Sequence, residues 1–456
     1  MELPVAVQQA LGDVAKGVSL RDLGQAGRQE LLRMVLLSDG QEKLQVICRK
    51  GDVIDLEQLN EHFDRDFELM KPAEQVLVKD RTGLRQLPAL PSLTGWPAVV
   101  DPRVDALPFV ALELEEQRLA MVMPAEDFRE LTSHAQRRSF TIPEENVSVN
   151  LNNPGDDRKQ LNSSLRKFTR LRIQQRLEDT LEVPPLSETA ERIIQLRVNP
   201  NAVMADLVDI VESDPPLAAQ VVSWASSSFY AAAGDVRSVY DAISRVLGFD
   251  MVMNLAMGLA LGRAIKLPKH HPYGYVSYWQ QAIWQAHATG ILTSMMPPLE
   301  RPAFGLAYLG GLLHNFGYLL LAHVFPPHFR LLCRSLEVNP DIDSAVIEQH
   351  LLGITREQIA AQLMENWGMP EEVICAIRHQ KNPEHQGAHS AYPKLLWLSR
   401  QLLVARGIKL GASEAVEQGI YDELGLDRAQ VDEKFDELMA SEDGIMAIAG
   451  LMVQKG

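Results

Sequence analysis

The sequence predicts a multidomain chain in which an α/β (α+β) unit is followed by an all-α unit. With 456 residues, the chain is long enough for two or three domains that each bury a core. Short strand-like runs, with Gly, Asp or Pro nearby, occur throughout the first part of the chain. After Leu177 such runs nearly vanish and apolar residues recur at helical spacing. The predicted bounds are 1–142 for the first domain, 143–176 for a polar and then basic linker, 177–405 for the helical domain and 406–456 for a helical tail.

β-Strands are predicted for five short runs rich in β-branched or other apolar residues, at 33–37, 44–48, 74–78, 98–100 and 109–112. A helix is predicted between the second and the third run, from Asp55 to Phe63. Mixing strands and helices in this way indicates an α/β or α+β fold.

The linker begins at Pro143 and contains the sequence NNPGDD at 152–157, which favours turns and exposed, mobile chain. The overlapping stretch 158–176 has seven basic residues and no acidic one, and Leu161, Leu165 and Phe168 fall on one helical face. It is predicted to be an amphipathic basic helix. This helix either offsets the acidic charge of the rest of the chain or contacts a nucleic acid, a nucleotide or an acidic partner.

The tail from Ala412 onward places apolar residues between acidic ones, at Ile420, Leu424, Val431, Phe435 and Leu438. We expect a small helical appendage that caps the all-α domain, with a partner-binding helix as the alternative.

Composition indicates a cytoplasmic protein. Its 44 Lys and Arg against 60 Asp and Glu give a formal charge of −16, which opposes non-specific binding to nucleic acid or to an anionic membrane. Cys48, Cys333 and Cys375 are far apart, so neither a disulfide framework nor a zinc knuckle is indicated. The N-terminus does not resemble a signal peptide, and apolar runs such as 252–261 and 310–324 are predicted to be buried helices.

The stretch GLLHNFG at 311–317 is typical of a metal-binding motif that has lost its carboxylate. A His-Asp pair supplies a neutral imidazole ligand and a charged oxygen ligand. Here the second residue is Asn315, whose amide oxygen carries no charge. The alternative is a core histidine with satisfied hydrogen bonds.

Five further segments follow one another along the chain: VPPL at 183–186, IVESDPPL at 210–217, WASSS at 224–228, VRSVYDAI at 236–243 and WGMP at 367–370. Together with 311–317 they resemble the HDOD domain, the HD-related output domain of bacterial signalling proteins, over roughly residues 175–405. The resemblance implies an all-helical fold. It also implies that the family's metal-binding positions correspond to Gln281, His314, Asn315, Arg356 and Gln380.

Of these positions only His314 keeps a good ligand type. Lys381 follows Gln380, and the closing aspartate of the family corresponds to Arg400 or is lost. His379 lies one residue early and compensates only if the local register shifts. Because cations replace ligands, we expect no metal, no other cofactor and no metal catalysis. Arg356 must then be exposed, paired with Glu348 or Glu357, or facing an anionic ligand.

In the first domain, LPALPSL at 87–93, AVVD at 98–101 and MPAEDF at 123–128 resemble the YbaK/prolyl-tRNA deacylase family. That resemblance places a catalytic lysine on an early strand, where Arg33 is the nearest equivalent. The family's Gly-x-x-Gly loop is absent, because residues 83–86 contain a single glycine. We expect an interaction domain rather than an editing site.

Together these expectations describe a non-catalytic bacterial signal-transduction protein that binds a regulatory protein or a small anionic ligand through the degenerate pocket of Gln281, His314, Asn315, Arg356 and Gln380. Membrane binding is not expected, and nucleic-acid binding is disfavoured. Two alternatives remain open: a metal-dependent phosphohydrolase with altered ligands, and aminoacyl-tRNA deacylation by the first domain. The sequence leaves the oligomeric state, the signal and the partner undetermined.

Overall fold

The computed structural model describes residues 3–25, 27, 29–114, 118–173, 186–226, 230, 236–265 and 267–453. The chain divides into two compact units. One contains the described residues up to Ser148 together with Arg330–Ile347, and the other contains those of Val149–Phe329 and those from Glu348 onward. Residues 330–347 therefore belong with the first unit, although they lie inside the predicted range 177–405. The predicted motif residues 183–185, 227 and 228, and the end of the basic stretch at 174–176, lie outside the described residues.

A mixed sheet forms the centre of the first unit. The strands are β1 Ser19–Asp22, β2 Leu31–Ser38, β3 Lys43–Arg49, β4 Asp52–Ile54, β5 Glu68–Leu69, β6 Ala98–Val100, β7 Phe109–Leu114, β8 Leu119–Pro124, β9 Gln136–Arg137 and β10 Thr141–Pro143. Their order is β1-β8-β7-β2-β3-β6-β9, with β5 added beside β2 and a separate β4–β10 pair. The β7–β2, β3–β6 and β6–β9 pairs are parallel and the others antiparallel.

The helices of the first unit are α1 Val5–Leu11, α2 Leu56–Phe63, α3 Pro72–Thr82, α4 Pro102–Asp105 and α5 Ala125–Leu131. Helix α2 begins where predicted, because the Asp55 side chain accepts a hydrogen bond from the backbone N–H of Gln58 at 2.9 Å. The residues of β2 and β3 contribute to two apolar cores. One of these cores also contains Val338, from the segment 330–347.

Four of the five predicted strands are confirmed as β2, β3, β6 and β7. The fifth prediction is wrong: residues 74–78 lie in helix α3. This helix has Pro72 in its first turn and ends at Gly83, which has the left-handed φ of 68° that glycine adopts without strain. Val76 and Leu77 are exposed, so the apolar run that indicated a strand does not mark a buried element.

The second unit is helical. Its helices are α6 Asp157–Ile173, α7 Glu188–Val198, α8 Met204–Glu212, α9 Pro215–Ala225, α10 Val239–Asp241, α11 Phe249–Ala264, α12 Tyr278–Met295, α13 Phe304–Leu313, α14 Phe316–Val324, α17 Arg356–Asn366, α18 Glu371–His379, α19 Ala391–Ala405, α20 Gln418–Glu423, α21 Arg428–Ala440 and α22 Glu442–Val453. A π-helical turn at Ala242–Leu247 follows α10, and the unit boundaries at 330 and 347 fall within α15 Pro326–Val338 and α16 Ser344–Leu352.

Helices α12, α13 and α19 pack together at the centre of this unit, and α14 and α18 both pack against α17. The predicted junction at 210–217 is confirmed, since the Asp214 side chain caps α9 by accepting from Leu217 N at 3.0 Å. The five apolar residues predicted in the tail are all buried, in or next to α20 and α21. Within the described residues, Phe304–Val324 is long and apolar enough to cross a membrane, but it is 94% buried, as expected for a core segment.

The linker prediction is confirmed in part. Helix α6 carries exposed Arg158, Lys159, Arg166 and Lys167, as expected for an amphipathic basic helix. Residues 152–156 are exposed, but Asp157 is buried, and the backbone carbonyls of 150 and 151 accept hydrogen bonds from α18. The prediction of exposed chain is therefore wrong at Asp157, because its charge is paired inside the helical unit.

Candidate functional site

The site lies where α13 ends and α14 begins, and two glycines bring its elements together. A Cβ on Gly311 would collide with the backbone of Ala286 in α12, and one on Gly317 would collide with the backbone of Arg356 in α17. Only glycine permits such close approach of two helices. The motif 311–317 therefore holds His314 and Asn315 against α12 and α17.

His314 is a neutral imidazole. Its Nδ1 lies 2.8 Å from the carbonyl oxygen of Gly311, which can only accept, so Nδ1 carries the proton. Burial lowers the pKa of His314 to about 3, with a smaller contribution from the positive charges of Arg400, Arg356 and Lys381. Three cations around one imidazole oppose the binding of a metal ion at its other nitrogen.

Asn315 joins two of the predicted positions through its side chain. Its Nδ2 donates to Oε1 of Gln281 at 2.8 Å, and its Oδ1 accepts from Nη1 of Arg356 at 2.7 Å. On the other side, Nε2 of Gln380 donates to the backbone carbonyl of His314 at 2.8 Å. The fold thus brings all five sequence-predicted residues together, in two hydrogen-bonded sets that meet at the adjacent residues His314 and Asn315.

Arg356 is paired with a buried carboxylate. Glu348 is fully buried and forms an ion pair with the guanidinium, and it also accepts from the backbone N–H of Arg356 at 2.8 Å. Burial raises the pKa of Glu348 to about 7, and the attraction of Arg356 opposes that rise. The Arg356 guanidinium also lies 5.3 Å from the ring centroid of Tyr318. Of the three situations expected for Arg356, the structure shows internal pairing, with Glu348 rather than Glu357.

These side chains provide few groups that could bind a metal ion. Their one carboxylate, Glu348, is neutralised by Arg356, and Asn315 and Gln281 already hold each other. Among the residues that the structure describes, no group of three or more His, Cys, Asp or Glu side chains is arranged to hold a metal ion. The chemistry available here is hydrogen bonding by neutral amides and one paired guanidinium.

His379 does not compensate for Gln380. Its Nδ1 lies 3.1 Å from the carbonyl oxygen of Leu151, and its ring stacks on that of His385 with 3.8 Å between centroids. Among the described residues, no hydrogen bond joins the His379 side chain to His314 or Asn315. The register shift that would have made it a ligand is absent from this part of the described chain.

A second polar cluster, beside the site, was missed by sequence reasoning. Arg378 forms a two-point ion pair with Asp157, and its Nη2 donates to the carbonyl of Asn150 at 2.8 Å. Gln358 also donates to Asp157 at 2.7 Å. In the sequence, Asp157 stands out only as the last acidic residue before the basic stretch 158–176, and that position does not indicate that its side chain is buried.

In the first unit Arg33 lies on β2 and is 8% exposed. Its Nη2 donates to the carbonyl of Asp52 at 2.7 Å and to Oδ1 of Asn339 at 2.6 Å. Leu84 lies in the stretch 83–86, which lacks the second glycine of the family's Gly-x-x-Gly loop. Its side chain is buried in the apolar core. Arg33 therefore faces the interior of its unit.

Comparison with known proteins identifies the HDOD region and a close relative of the whole chain. The HDOD domain profile matches residues 183–383. A crystal structure of a protein from Marinobacter aquaeolei VT8, named "Putative signal transduction protein", is 68% identical, covers 99% of this chain and 100% of its own, and has a TM-score of 0.93. An "Uncharacterized protein" of Treponema pallidum is 22% identical over 216 residues, which are 47% of this chain and 40% of that protein.

Two other solved structures resemble this chain more weakly. A "Putative phosphohydrolase" from Shewanella amazonensis SB2B is 20% identical over 59% of this chain and 95% of its own, with a TM-score of 0.48. A "putative trans-editing enzyme for prolyl tRNA synthetase" is 17% identical over 31% and 99%, with a TM-score of 0.26. The second belongs to the class of protein that the first domain was found to resemble.

The match to the Marinobacter protein is nearly complete, and the HDOD profile runs from α7 to α18, including residues 330–347 of the first unit. The chain belongs to the same family as that Marinobacter protein, and it carries an HDOD domain at residues 183–383 behind a mixed α/β unit.

Proposed function

We propose that this protein transmits a signal by binding, and that its HDOD domain binds a protein partner without catalysing a reaction. The observation that carries this proposal is the pairing of Arg356 with Glu348 and Asn315 at the place of the family's metal site. The name of the Marinobacter relative supports a signalling role.

The charge at the site argues against catalysis. A catalytic dication needs several convergent anionic or imidazole ligands, with a position left open for substrate. Here Arg356 and Glu348 sum to zero charge, and Arg400 and Lys381 add positive charge near His314. A metal-dependent phosphohydrolase with altered ligands remains the alternative, and no contact among the described residues favours it.

The same pairing favours a protein partner over a small anion. An arginine binds phosphate or carboxylate through its planar fork of N–H groups. In Arg356 those groups are directed at Glu348 and Asn315. A small anion would have to displace a buried carboxylate, which leaves the outer surface of the helical unit as the surface for recognition.

Metal analysis of the purified intact chain is the first test. We expect no stoichiometric Fe, Mn or Zn, even after incubation with each metal. Asn315→Asp is the matched variant, since it restores the family's carboxylate. It should also stay without metal, because Arg356 would pair with the new carboxylate. Finding about one or two metal ions per chain, lost on His314→Ala, would contradict the proposal.

A thermal-shift screen separates a protein partner from a small ligand. Wild type and Arg356→Ala are compared against nucleotides, cyclic dinucleotides and acidic metabolites. We expect no ligand-dependent rise in Tm for wild type. A saturable rise in the Tm of wild type that Arg356→Ala abolishes would show that the ligand is a small anion rather than a protein.

A further inference from the structure

The Arg33 guanidinium is a buried positive charge with unused donors. Its Nη2 is bound to the carbonyl of Asp52 and to Oδ1 of Asn339. Its Nε and Nη1 are buried and have no oxygen or nitrogen acceptor within the described part of the chain, and only the weakly accepting Cys48 thiol lies beside the guanidinium. A buried guanidinium that lacks an anion is unfavourable, so its surroundings favour a negatively charged group.

Neighbouring acidic groups are already engaged elsewhere. The carboxylate of Asp52 binds Arg49 through both oxygens, at 2.7 and 2.9 Å. Asp101 accepts from the backbone N–H groups of Phe140 and Thr141, both at 3.2 Å. Among the described residues, no carboxylate forms an ion pair with Arg33.

Cys48 does not supply the missing charge either. Cys48 lies directly opposite Arg33 in the register of β2 and β3, and it is fully buried. Burial raises the pKa of the Cys48 thiol, although the nearby Arg33 opposes that rise. The thiol is therefore protonated near neutral pH and supplies no negative charge to Arg33.

Asn339 fills the space beside Arg33 with a neutral carboxamide. Its Oδ1 accepts from Nη2 of Arg33 at 2.6 Å and from the backbone N–H of Ile54 at 2.8 Å. Its Nδ2 donates to the carbonyls of Ile54 and Ser335, at 3.0 and 2.9 Å. A guanidinium and a backbone N–H that converge on one oxygen make an arrangement that also suits a carboxylate.

We propose that the first unit contains a carboxylate-binding site formed by Arg33 and the N–H of Ile54, and that Asn339 is its internal occupant. The ligand class is a small carboxylate, one oxygen of which takes the place of Oδ1 of Asn339. The site opens when the segment 330–347 moves away from β2 and β4. The proposal is independent of the function assigned to the helical unit, because each of its residues belongs to the first unit.

Asn339→Ala tests the site, because it removes the occupant and leaves Arg33 in place. The intact variant is titrated with sodium acetate at constant ionic strength, and Tm is measured. We expect Tm to rise and to saturate with acetate, whereas acetamide, the neutral analogue of the same shape, has no such effect. Adding Arg33→Met to Asn339→Ala should abolish the response.

Several outcomes would overturn the proposal. They are an equal rise with acetamide, a rise that survives Arg33→Met, and no rise in either Asn339→Ala or the milder Asn339→Ser. Arg33→Met in the otherwise wild-type chain covers the case in which neither Asn339 variant folds. Since that change removes a buried charge that has no direct ion pair and two unsatisfied donors, Tm should stay equal or increase. A marked fall in Tm would show that the guanidinium is already satisfied.

Discussion

At the scale of single residues, His314 occupies a predicted ligand position and is part of the buried core. Its proton lies on Nδ1 and is bound to the carbonyl of Gly311, and the backbone carbonyl of the same residue accepts from Gln380. Burial and nearby cations hold its pKa at about 3, well below the ordinary 6.5. The imidazole therefore stays neutral in the folded protein at pH values where an exposed histidine takes up a proton.

This shift predicts acid sensitivity. Below pH 6.5 the unfolded chain binds a proton at His314 and the folded chain does not, so the free energy of unfolding falls as pH decreases toward 3. Each such proton contributes up to about 1.4 kcal/mol per pH unit. His314→Gln removes this contribution. Urea unfolding of both proteins at pH 7.5, 6.5 and 5.5, about one unit on either side of the ordinary histidine pKa, measures how the free energy of unfolding changes with pH. The variant should show the smaller change.

His287→Gln is a second, independent variant for that experiment. Burial lowers the pKa of His287 to about 4, so its removal should also flatten the pH dependence below 6.5. The double variant should be flatter than either single one. Parallel curves for wild type and His314→Gln would show that His314 is protonated in the folded chain.

At the scale of elements, the polar stretch before α6 is fastened to α17 and α18. Arg378 and Asp157 are both buried and form a two-point ion pair, and Gln358 donates to the same carboxylate. The carbonyls of Asn150 and Leu151 accept from α18. The start of α6 is thereby held next to α18, which leads into Gln380 of the candidate site.

Breaking this ion pair should be costly. Arg378→Met leaves the Asp157 carboxylate buried without its partner, and we expect the free energy of unfolding of the helical unit to drop by about 3–5 kcal/mol. Adding Asp157→Asn should recover most of that loss, because no uncompensated charge remains. Lys434→Met, in an exposed pair with Glu437, is the control and should have no measurable effect. Urea unfolding checks all three, and a loss below about 1 kcal/mol for Arg378→Met would mean that the pair behaves as an exposed one.

At the scale of the whole molecule, a net charge of −16 accompanies one exposed basic helix face. The long-range field of the acidic chain repels polyanions, and the four described exposed cations of α6 act against it only locally. In the first unit, Arg33 is buried and bound to Asn339. Both features oppose a reaction on tRNA.

We therefore expect the intact chain neither to retain nor to deacylate mischarged tRNA. Filter binding at low and physiological salt measures retention, and release of the amino acid measures deacylation. Any weak retention should vanish at physiological salt, as non-specific electrostatic binding does. Turnover well above the uncatalysed rate, abolished by Arg33→Ala, would show instead that the first domain deacylates tRNA.

The sequence by itself determined the class of each unit and the residue types at the candidate site. Asn315, Gln281 and Arg356 are read directly from motif positions, and their lack of negative charge follows from residue type alone. Helix α2 and the junction at Asp214 were also predictable, because N-caps and helical periodicity are local signals. The run at 74–78 was not, since a short apolar run fits a strand or a helix equally.

Only the tertiary structure decided which charges meet. Glu348 and Glu357 were equal candidates for Arg356 in sequence, and packing of α17 selected Glu348. Asp157 and Arg378 are 221 residues apart, and Arg33 and Asn339 are 306 apart. Burial and pairing at such separations depend on how distant elements pack, which neither periodicity nor composition encodes locally. The same reason places residues 330–347 with the first unit, where Asn339 reaches Arg33.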